Sequence, residues 1–174
     1  MNKGFTLARE ALDREPGDFS HGLLTLSKIL MMRIGGSMGP LYGKILKTMG
    51  RTFEGHTEID AALFREALQK VREGMKVITP ARPGDKTLVD ALYPAIDAFT
   101  EAVDSGGGFG GALLVMKAAA EAGRDATKEM VARLGRSSRL GERSKGVIDA
   151  GAASCALLLG VMADSITEIL PHNK

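Results

Sequence analysis

The residues best suited to chemistry lie in the segment GRSSRLGERSKGVIDAG, which spans positions 135–151. It holds four glycines and has no apolar periodicity, so it is predicted to be a long loop. Long loops in compact domains commonly carry binding sites, although a solvated surface loop is the alternative. The charged residues between positions 133 and 145 are Arg133, Arg136, Arg139, Arg143 and Lys145 against the single acid Glu142. This density of cations favours a phosphate or an acidic partner.

Two further glycine-bearing segments lie next to predicted helix starts. GGSMGPLYG, at 35–43, places Pro40 in the first turn of a helix, where unpaired backbone N–H groups and the helix dipole form a generic anion seat. PGDKT, at 83–87, precedes another helix. Spacing alone favours capping there by Asp85 or Thr87, with Lys86 in solvent, over a ligand role. Three such segments in one chain indicate a ligand with phosphates.

Other chemistry has little support in the sequence. His21, His56 and His172 stand in neither a metal-ligand spacing nor beside a paired acid. The chain has no P-loop, no nucleotide-binding GxGxxG after a strand and no nucleophile elbow. It has no tryptophan and only two tyrosines, neither of them in the basic segment, so nucleic-acid binding by base stacking is not expected. No catalytic residue and no metal ligand is assigned.

Apolar periodicity predicts an all-α fold, because no segment alternates for long enough to form a strand. Helices are expected at about 2–15, 18–34, 40–53, 57–78, 88–103, 111–134 and 151–170. Thr57 and Asp60 resemble a capping box at the start of the fourth helix, and a kink is expected where Tyr93 precedes Pro94. The last helix is apolar nearly all round, which favours a place inside the bundle. Short connections favour antiparallel neighbours in a closed bundle.

Size and composition favour one cytoplasmic domain over residues 1–174. The net charge of +2 disfavours a general polyanion binder, so any anion site must be local. Cys155 cannot form an internal disulfide and is expected to pack as a small buried residue. The longest apolar run, 150–163, is too short to span a bilayer, so no membrane association is expected.

The order and spacing of GGSMGPLYG, PGDKT and GRSSRLGERS, followed by DAG at 149–151, resemble the nucleotide-binding subunit L of bacterial dihydroxyacetone kinase, a Dak2-type domain. The resemblance covers essentially the whole chain and extends to the equivalent domain of one-chain kinases. It implies an antiparallel all-α barrel, with eight helices in the family and about seven here, that holds ADP or ATP at one rim. It also implies a partner, subunit K, which holds dihydroxyacetone covalently on a histidine of its own.

In the phosphoenolpyruvate-dependent version of these kinases, a third subunit, M, recharges the bound ADP, whereas in the other version ATP is the exchangeable donor. The resemblance assigns nine residues to the nucleotide: Gly36, Ser37 and Met38 by the phosphates, Thr79 and Leu88 on the adenine side, Arg136 near the nucleotide, and Asp149, Ala150 and Gly151 in a closing loop. Three residues depart from the family pattern. Met38 cannot donate a hydrogen bond to phosphate, and Val147 with Ile148 replaces a His-Gln pair.

The family pattern places an aspartate-rich loop, GDxDHGxNM, just before the residues that correspond to NKGF at 2–5. Its three aspartates hold two magnesium ions that bridge the phosphates, and no other carboxylate cluster in this sequence replaces them. The chain is therefore expected to be truncated at its N-terminus and to lack the metal ligands and the first helix. Apolar residues Phe5, Leu12, Leu157, Leu158 and Val161 would then lose a neighbour, which favours a homodimer.

The resemblance implies an ADP- or ATP-binding subunit of a dihydroxyacetone-type kinase, which positions the phosphoryl donor for a triose bound on the partner. The alternative is a non-catalytic nucleotide-binding or partner-interaction module of the same fold that has lost its metal site. The choice between dihydroxyacetone, erythrulose and a related ketose lies outside this sequence, because the sugar binds to the partner.

Overall fold

The computed structural model describes residues 2–33, 36 and 38–170, and in these residues it shows helices and no strands. The α-helices are α1 (Asn2–Arg14), α2 (Phe19–Arg33), α3 (Met38–Phe53), α4 (Ala61–Ile78), α5 (Val89–Asp104), α6 (Phe109–Ala126) and α7 (Ala150–Ile169). Two 3-10 segments, Thr127–Glu129 and Arg136–Ser144, lie between α6 and α7. The predicted all-α class is confirmed.

Contacts between Cα atoms divide the chain into two compact units, residues 1–80 and 81–174. The first unit contains α1 to α4, in which each helix packs against the next along the chain. The second contains α5, α6 and α7, which all pack against one another. The prediction of one domain over residues 1–174 stays a prediction.

Helices α2 and α3 approach closely because small residues face each other at two levels. Ser20 Oγ donates to the Gly50 carbonyl at 2.8 Å, and Ser27 Oγ donates to the Gly43 carbonyl at 2.7 Å. A Cβ atom on Gly50 would lie 2.9 Å from Leu24 Cγ and 3.2 Å from the Ser20 carbonyl oxygen. The four positions run in opposite directions along the two helices, so α2 and α3 form an antiparallel hairpin.

Helix α4 begins at a single capping residue. Asp60 is the N-cap, and its carboxylate accepts from Leu63 N at 2.8 Å. The predicted capping box that started at Thr57 is therefore wrong, because Asp60 fills the capping role that Thr57 was expected to fill. The inner face of this helix carries Phe64, Val71 and Met75, which are almost completely buried.

In the second unit, α5 and α6 meet at a glycine. A Cβ atom on Gly123 would lie 2.1 Å from the Asp90 carbonyl oxygen and 3.1 Å from Ala91 Cα, so only glycine allows the two backbones to approach this closely. The core of the unit includes Phe99 and Leu113. Helix α5 runs from Val89 to Asp104 as one helix through Pro94.

Helix α6 ends at Ala126, earlier than predicted, because Thr127 begins a 3-10 turn and Met130 has extended backbone angles. The alanine-rich sequence continues the helical pattern beyond this point, but Thr127 Oγ1 donates to the Arg124 carbonyl at 2.6 Å and turns the chain. Two earlier boundary residues, Ile34 and Gly35, lie outside the described residues.

Helix α7 is buried on one face only, so the prediction that it lies inside the bundle is wrong. Its small residues face inward, among them Cys155 and Ala163, whereas Leu157 is 64% and Val161 is 55% exposed. Burial raises the pKa of the Cys155 thiol to about 12, which confirms it as an inert packed residue. Helix α7 is longer than its apolar run and by length and composition alone could cross a membrane, a test that helices of soluble cores also pass.

Candidate functional site

The DAG sequence at 149–151 starts α7. Asp149 is the N-cap: its Oδ2 accepts from Ala152 N at 2.8 Å, while its own N–H donates to Thr127 Oγ1 at 3.0 Å. Ala150 and Gly151 form the first turn. These residues were expected in a closing loop, but the structure places Ala150 and Gly151 in the helix because the Asp149 carboxylate satisfies its first free N–H groups.

The start of α7 lies against the start of α5. A Cβ atom on Gly151 would lie 3.2 Å from Leu88 N, 3.4 Å from Leu88 Cβ and 2.8 Å from Asp149 Oδ2. Leu88, the residue before α5, is 5% exposed. The structure therefore brings together Leu88, Asp149 and Gly151, three of the residues that the sequence assigned to the nucleotide. A side chain at position 151 would crowd the Asp149 carboxylate and the Leu88 backbone, so the two helix ends would have to shift by a few tenths of an ångström to accept it.

Asp90, which the sequence analysis did not single out, organises the PGDKT turn. Its carboxylate accepts from Gly84 N through Oδ1 and from Thr87 N through Oδ2, the latter at 2.7 Å. Asp85 was expected to cap α5, but it accepts from Arg82 N at 2.8 Å, and Thr87 Oγ1 accepts only a longer bond, 3.3 Å, from Val89 N. The Asp90 carboxylate, in the first turn of α5, thus fixes the preceding PGDKT turn through these hydrogen bonds.

Lys86 is buried, and its predicted place in solvent is wrong. It is 3% exposed, and among the described residues other than glycine it alone has a positive φ, 62°. Its Nζ donates to the Met130 carbonyl at 3.1 Å and to the Ser144 carbonyl. These bonds offset part of the cost of burying an ammonium group. Nothing in the spacing of PGDKT indicates this role, because the acceptors lie 44 and 58 residues away along the chain.

The predicted long loop, 135–151, contains the 3-10 segment Arg136–Ser144, which is broken at Gly141. Its end is fixed by Ser144, whose buried Oγ accepts from Ala132 N at 2.9 Å and donates to the Gly141 carbonyl at 2.6 Å. Gly146 N donates to the Lys128 carbonyl at 2.7 Å. Ser144 is thus a structural residue that sequence reasoning missed, because serine in a basic, glycine-rich segment resembles a ligand contact.

The front of the segment is more open. Arg136 and Arg139 are exposed. Just before the segment, the exposed Arg133 forms an ion pair of 3.8 Å with the largely buried Asp85 carboxylate. The cations at the front can therefore reach an anion in solvent, whereas the backbone behind them is tied to Lys86 and Lys128. We call residues 136–140 the basic front.

Three charged groups of this unit influence one another. Burial raises the pKa of the Asp149 carboxyl above its usual value, while hydrogen bonds from the backbone N–H groups of Ala152 and Gly151 oppose that shift. The negative charge of Asp90 raises the pKa of Asp149 further, and the positive charge of Lys86 lowers it. Burial therefore outweighs the backbone hydrogen bonds and the charge of Lys86, and the net shift of the Asp149 pKa is upward.

The remaining assigned residues belong to the first unit. Gly36 is exposed with a φ of 75°, Met38 is the first residue of α3, and Thr79 is the C-cap of α4. Ser37 lies outside the described residues. A Cβ atom on Gly74 would lie 2.8 Å from Lys44 Cε, so the last part of α4 lies beside the first part of α3. Gly36, Met38 and Thr79 therefore share one end of this unit.

Each of the two units has exposed groups that phosphate oxygens can approach. Exposed Gly36, with its left-handed backbone, and the exposed basic front are accessible to phosphate oxygens. Within 2–33, 36 and 38–170, no group of three or more His, Cys, Asp or Glu side chains is placed to hold a metal ion. Resident magnesium, which prefers several hard oxygen ligands, therefore does not fit the described part of the chain.

Comparison with known proteins gives consistent relatives. The sequence matches the DAK2 domain family over residues 1–164. The ADP-binding subunit DhaL of a PEP-dependent dihydroxyacetone kinase from Listeria innocua is 30% identical over 163 residues, which is 93% of this chain and 76% of that subunit. The Escherichia coli DhaL subunit is 28% identical over 164 residues, 94% of this chain and 78% of the subunit.

Longer relatives contain the same region as one part. The L-erythrulose 1-kinase of Mycolicibacterium smegmatis is 34% identical over 166 residues, and the match covers 92% of this chain but 28% of that protein. The relatives are thus kinases or nucleotide-binding subunits of kinases. Since the family match includes all three glycine-bearing segments and most of the chain, this protein belongs to the DAK2 domain family.

Proposed function

We propose that this chain is the ADP- or ATP-binding subunit of a dihydroxyacetone-type kinase, and that it positions the phosphoryl donor for transfer to a triose held by a partner subunit. The observation that carries the proposal is the contact of Leu88, Asp149 and Gly151, which joins two motifs assigned to the nucleotide from sequence. The ADP-binding DhaL subunits among its relatives support the same role.

The chain's own contribution would be to bind and orient the nucleotide. Phosphoryl transfer depends mainly on alignment and on neutralising the charge of the transferred group, so a subunit without an acid–base residue can serve it. In the second unit, the resemblance assigns Leu88 to the adenine side, and exposed Arg136 offers a guanidinium to phosphate oxygens. In the first unit, the resemblance assigns Gly36, Ser37 and Met38 to the phosphates and Thr79 to the adenine side.

We propose that the basic front acts as a lid that closes over the bound nucleotide. Its exposed cations gain a partner when an anion binds, and that gain offsets the conformational entropy lost on ordering. The lid begins after Gly135, whose φ of 72° is left-handed, and ends at Gly141, beyond which Ser144 holds the chain. Closure would therefore leave the turn around Lys86 in place.

The alternative is a nucleotide-binding or partner-interaction module without catalytic activity. It is favoured by the lack of a carboxylate cluster among the described residues, since magnesium normally offsets phosphate charge in phosphoryl transfer. In the kinase proposal the partner is subunit K, and subunit M joins the complex if phosphoenolpyruvate is the donor. We also propose a homodimer and a cytoplasmic location.

Calorimetric titration with ADP and ATP, with and without magnesium, tests the binding role. We expect saturable binding of one nucleotide that changes little with magnesium, because the described residues offer no ligand set for the metal. Absence of binding to either nucleotide would refute the proposal. Binding without phosphoryl transfer in the presence of a competent partner subunit and a triose would favour the non-catalytic alternative.

Arg136→Ala tests the assignment of the lid. We expect at least a tenfold loss of activity in the assembled complex, a change of about 1.4 kcal/mol in transition-state stabilisation. Because Arg136 is exposed, helical content and melting temperature should stay unchanged. Lys128→Ala, an exposed cation outside the basic front, is the matched control. Full activity of the Arg136 variant would contradict this role.

A further inference from the structure

The hairpin of α2 and α3 carries an unusual charge distribution. Residues 19–53 contain no Asp or Glu, whereas they contain five basic residues: Lys28, Arg33, Lys44, Lys47 and Arg51. The net charge of the whole chain is only +2, so the other segments together are acidic. The hairpin is therefore a local positive region that its own helices do not neutralise.

A groove of about 380 Å³ lies on this hairpin and is lined by apolar side chains, here called the floor, and by basic side chains, here called the rim. Leu24, Met31 and Met32 supply apolar surface, and Met31 is 49% and Met32 is 68% exposed. Methionines on a binding surface adapt to varied apolar partners because the side chain is unbranched and polarisable.

The rim consists of Lys28 on α2 and of Lys47 and Arg51 on α3. Arg51 forms an exposed ion pair with Glu54 at 2.8 Å, just beyond the end of α3. Lys28 and Lys47 are exposed, and neither forms an ion pair with another residue in the described part of the chain. Two lysines on opposite helices thus flank an apolar floor and have no acid of their own.

We propose that this groove docks an acidic amphipathic helix of a partner protein. An apolar stripe on such a helix would contact Leu24, Met31 and Met32, and its flanking carboxylates would pair with Lys28 and Lys47. Leu24 and Met31 are seven residues apart on α2, about 10 Å at the helical rise, so the floor matches two turns of a bound helix.

The concave shape distinguishes this partner from the other anionic surfaces. A membrane presents a flat interface, which suits a single amphipathic helix lying with its apolar face down more than a groove between two helices. The residues named for the groove include no aromatic side chain on which a nucleic-acid base could stack. An acidic helix uses both the floor and the rim, so it is the occupant that charge complementarity favours.

The probe for this proposal is a fluorescein-labelled synthetic helix of about four turns, with Leu and Met along one face and Glu on the others. A peptide of the same composition, shuffled so that its apolar residues no longer share a face, is the control ligand. Fluorescence anisotropy should show at least tenfold tighter binding of the amphipathic peptide, about 1.4 kcal/mol. Equal binding of both peptides, or binding of neither, would overturn the proposal.

Two protein variants locate the binding. The double variant Lys28→Glu with Lys47→Glu should bind the amphipathic peptide at least tenfold more weakly, and the salt dependence of that affinity should fall. The matched control, Lys3→Glu with Lys128→Glu, changes the net charge by the same amount at exposed positions outside the groove and should keep the affinity within about twofold. Equal weakening by both double variants would show a non-specific charge effect and overturn the assignment.

Met32→Gln tests the floor. Its side chain is largely exposed, so the substitution should leave the melting temperature unchanged and weaken the peptide by about threefold or more through lost apolar contact. Vesicles of phosphatidylcholine with phosphatidylserine test the competing surface, and tighter binding to them than to the peptide would overturn the choice of a protein helix. ADP titration of the same variants separates this proposal from nucleotide binding, to which none of the substituted residues is assigned.

Discussion

At the scale of single residues, Lys86 shows how far a side chain's role can lie from its local sequence. Its ammonium joins the PGDKT turn to the carbonyls of Met130 and Ser144, and so fixes the end of the basic segment. Its left-handed backbone costs about 1 kcal/mol, which these bonds must offset. Lys86 is therefore a positioning residue for the segment that carries Arg136.

Lys86→Met should lower the free energy of unfolding by about 1–3 kcal/mol, because the carbonyl of buried Ser144 loses its donor. Urea denaturation measures this loss. Lys128→Met, which removes an exposed ammonium, should stay within about 0.5 kcal/mol of the wild type. Hydrogen exchange gives the positional readout: amides of 141–146 should lose protection in the Lys86 variant and keep it in the control. Unchanged exchange there would contradict the anchoring role.

At the scale of helices, glycines set how closely neighbouring elements approach. On α6, Gly123 lies against the Asp90 backbone, whereas Gly111 has no heavy atom within 4 Å of an added Cβ. Replacing glycine by alanine is therefore expected to lower stability at position 123 and to raise it at position 111. The contact at Gly123 also supports the turn that Asp90 organises, so helix packing and site geometry depend on the same residue.

Gly123→Ala should destabilise the protein by about 1–3 kcal/mol, since the new methyl group meets backbone atoms that cannot rotate away. Gly111→Ala should instead stabilise it by about 0.5–1 kcal/mol, because alanine is the better helix former and the site is open. Thermal unfolding of the two variants in parallel shows whether each substitution raises or lowers the stability of the protein. If the Gly123→Ala variant is as stable as the wild type, α5 and α6 can move apart without a loss of folding free energy, which would contradict this prediction.

At the scale of the whole molecule, sequence periodicity predicted the helical class and the approximate position of every α-helix, because burial of an apolar stripe determines both. It failed where distant polar contacts decide the outcome. The end of α6 depends on the turn that Thr127 forms, and the burial of Lys86 depends on carbonyls remote in sequence. Apolar composition alone wrongly predicts that α7 lies inside the bundle, whereas the family resemblance implies that Leu157 and Val161 lose a neighbour, and both side chains are exposed.

The candidate site, like the fold, could be predicted from the sequence only in part. Motif resemblance assigned Leu88, Asp149 and Gly151 to the nucleotide, and the structure brings these three together, but the resemblance did not point to Asp90 or Ser144, which hold the surrounding backbone. Glycine and an acidic cap have recognisable local patterns. A serine or aspartate that binds a remote backbone group has none, because its partner is defined only by the folded chain.

The pH dependence of stability is a property of the whole chain to which Asp149 makes a distinct contribution. The Glu66 and Asp125 carboxyls have lowered pKa values, each first through a side-chain hydrogen bond, from Lys70 and Arg124 respectively, but both are exposed and such pairs contribute little. The raised pKa of Asp149 acts with the opposite sign. Its folded state binds a proton more readily than its unfolded state, so stability is lost as the pH rises through the folded pKa.

Asp149→Asn should therefore gain stability relative to the wild type at pH 7, because asparagine keeps the helix cap without a buried charge. The difference should shrink as the pH falls below the raised pKa of Asp149 and towards its ordinary value of 3.8, where both chains carry a neutral side chain. Urea denaturation at several pH values between 7 and 3.5 measures it, with Asp125→Asn as the exposed control that should show no such gain. A difference that widens in acid would mean that the Asp149 charge stabilises the fold, and the sign argued from its burial would be wrong.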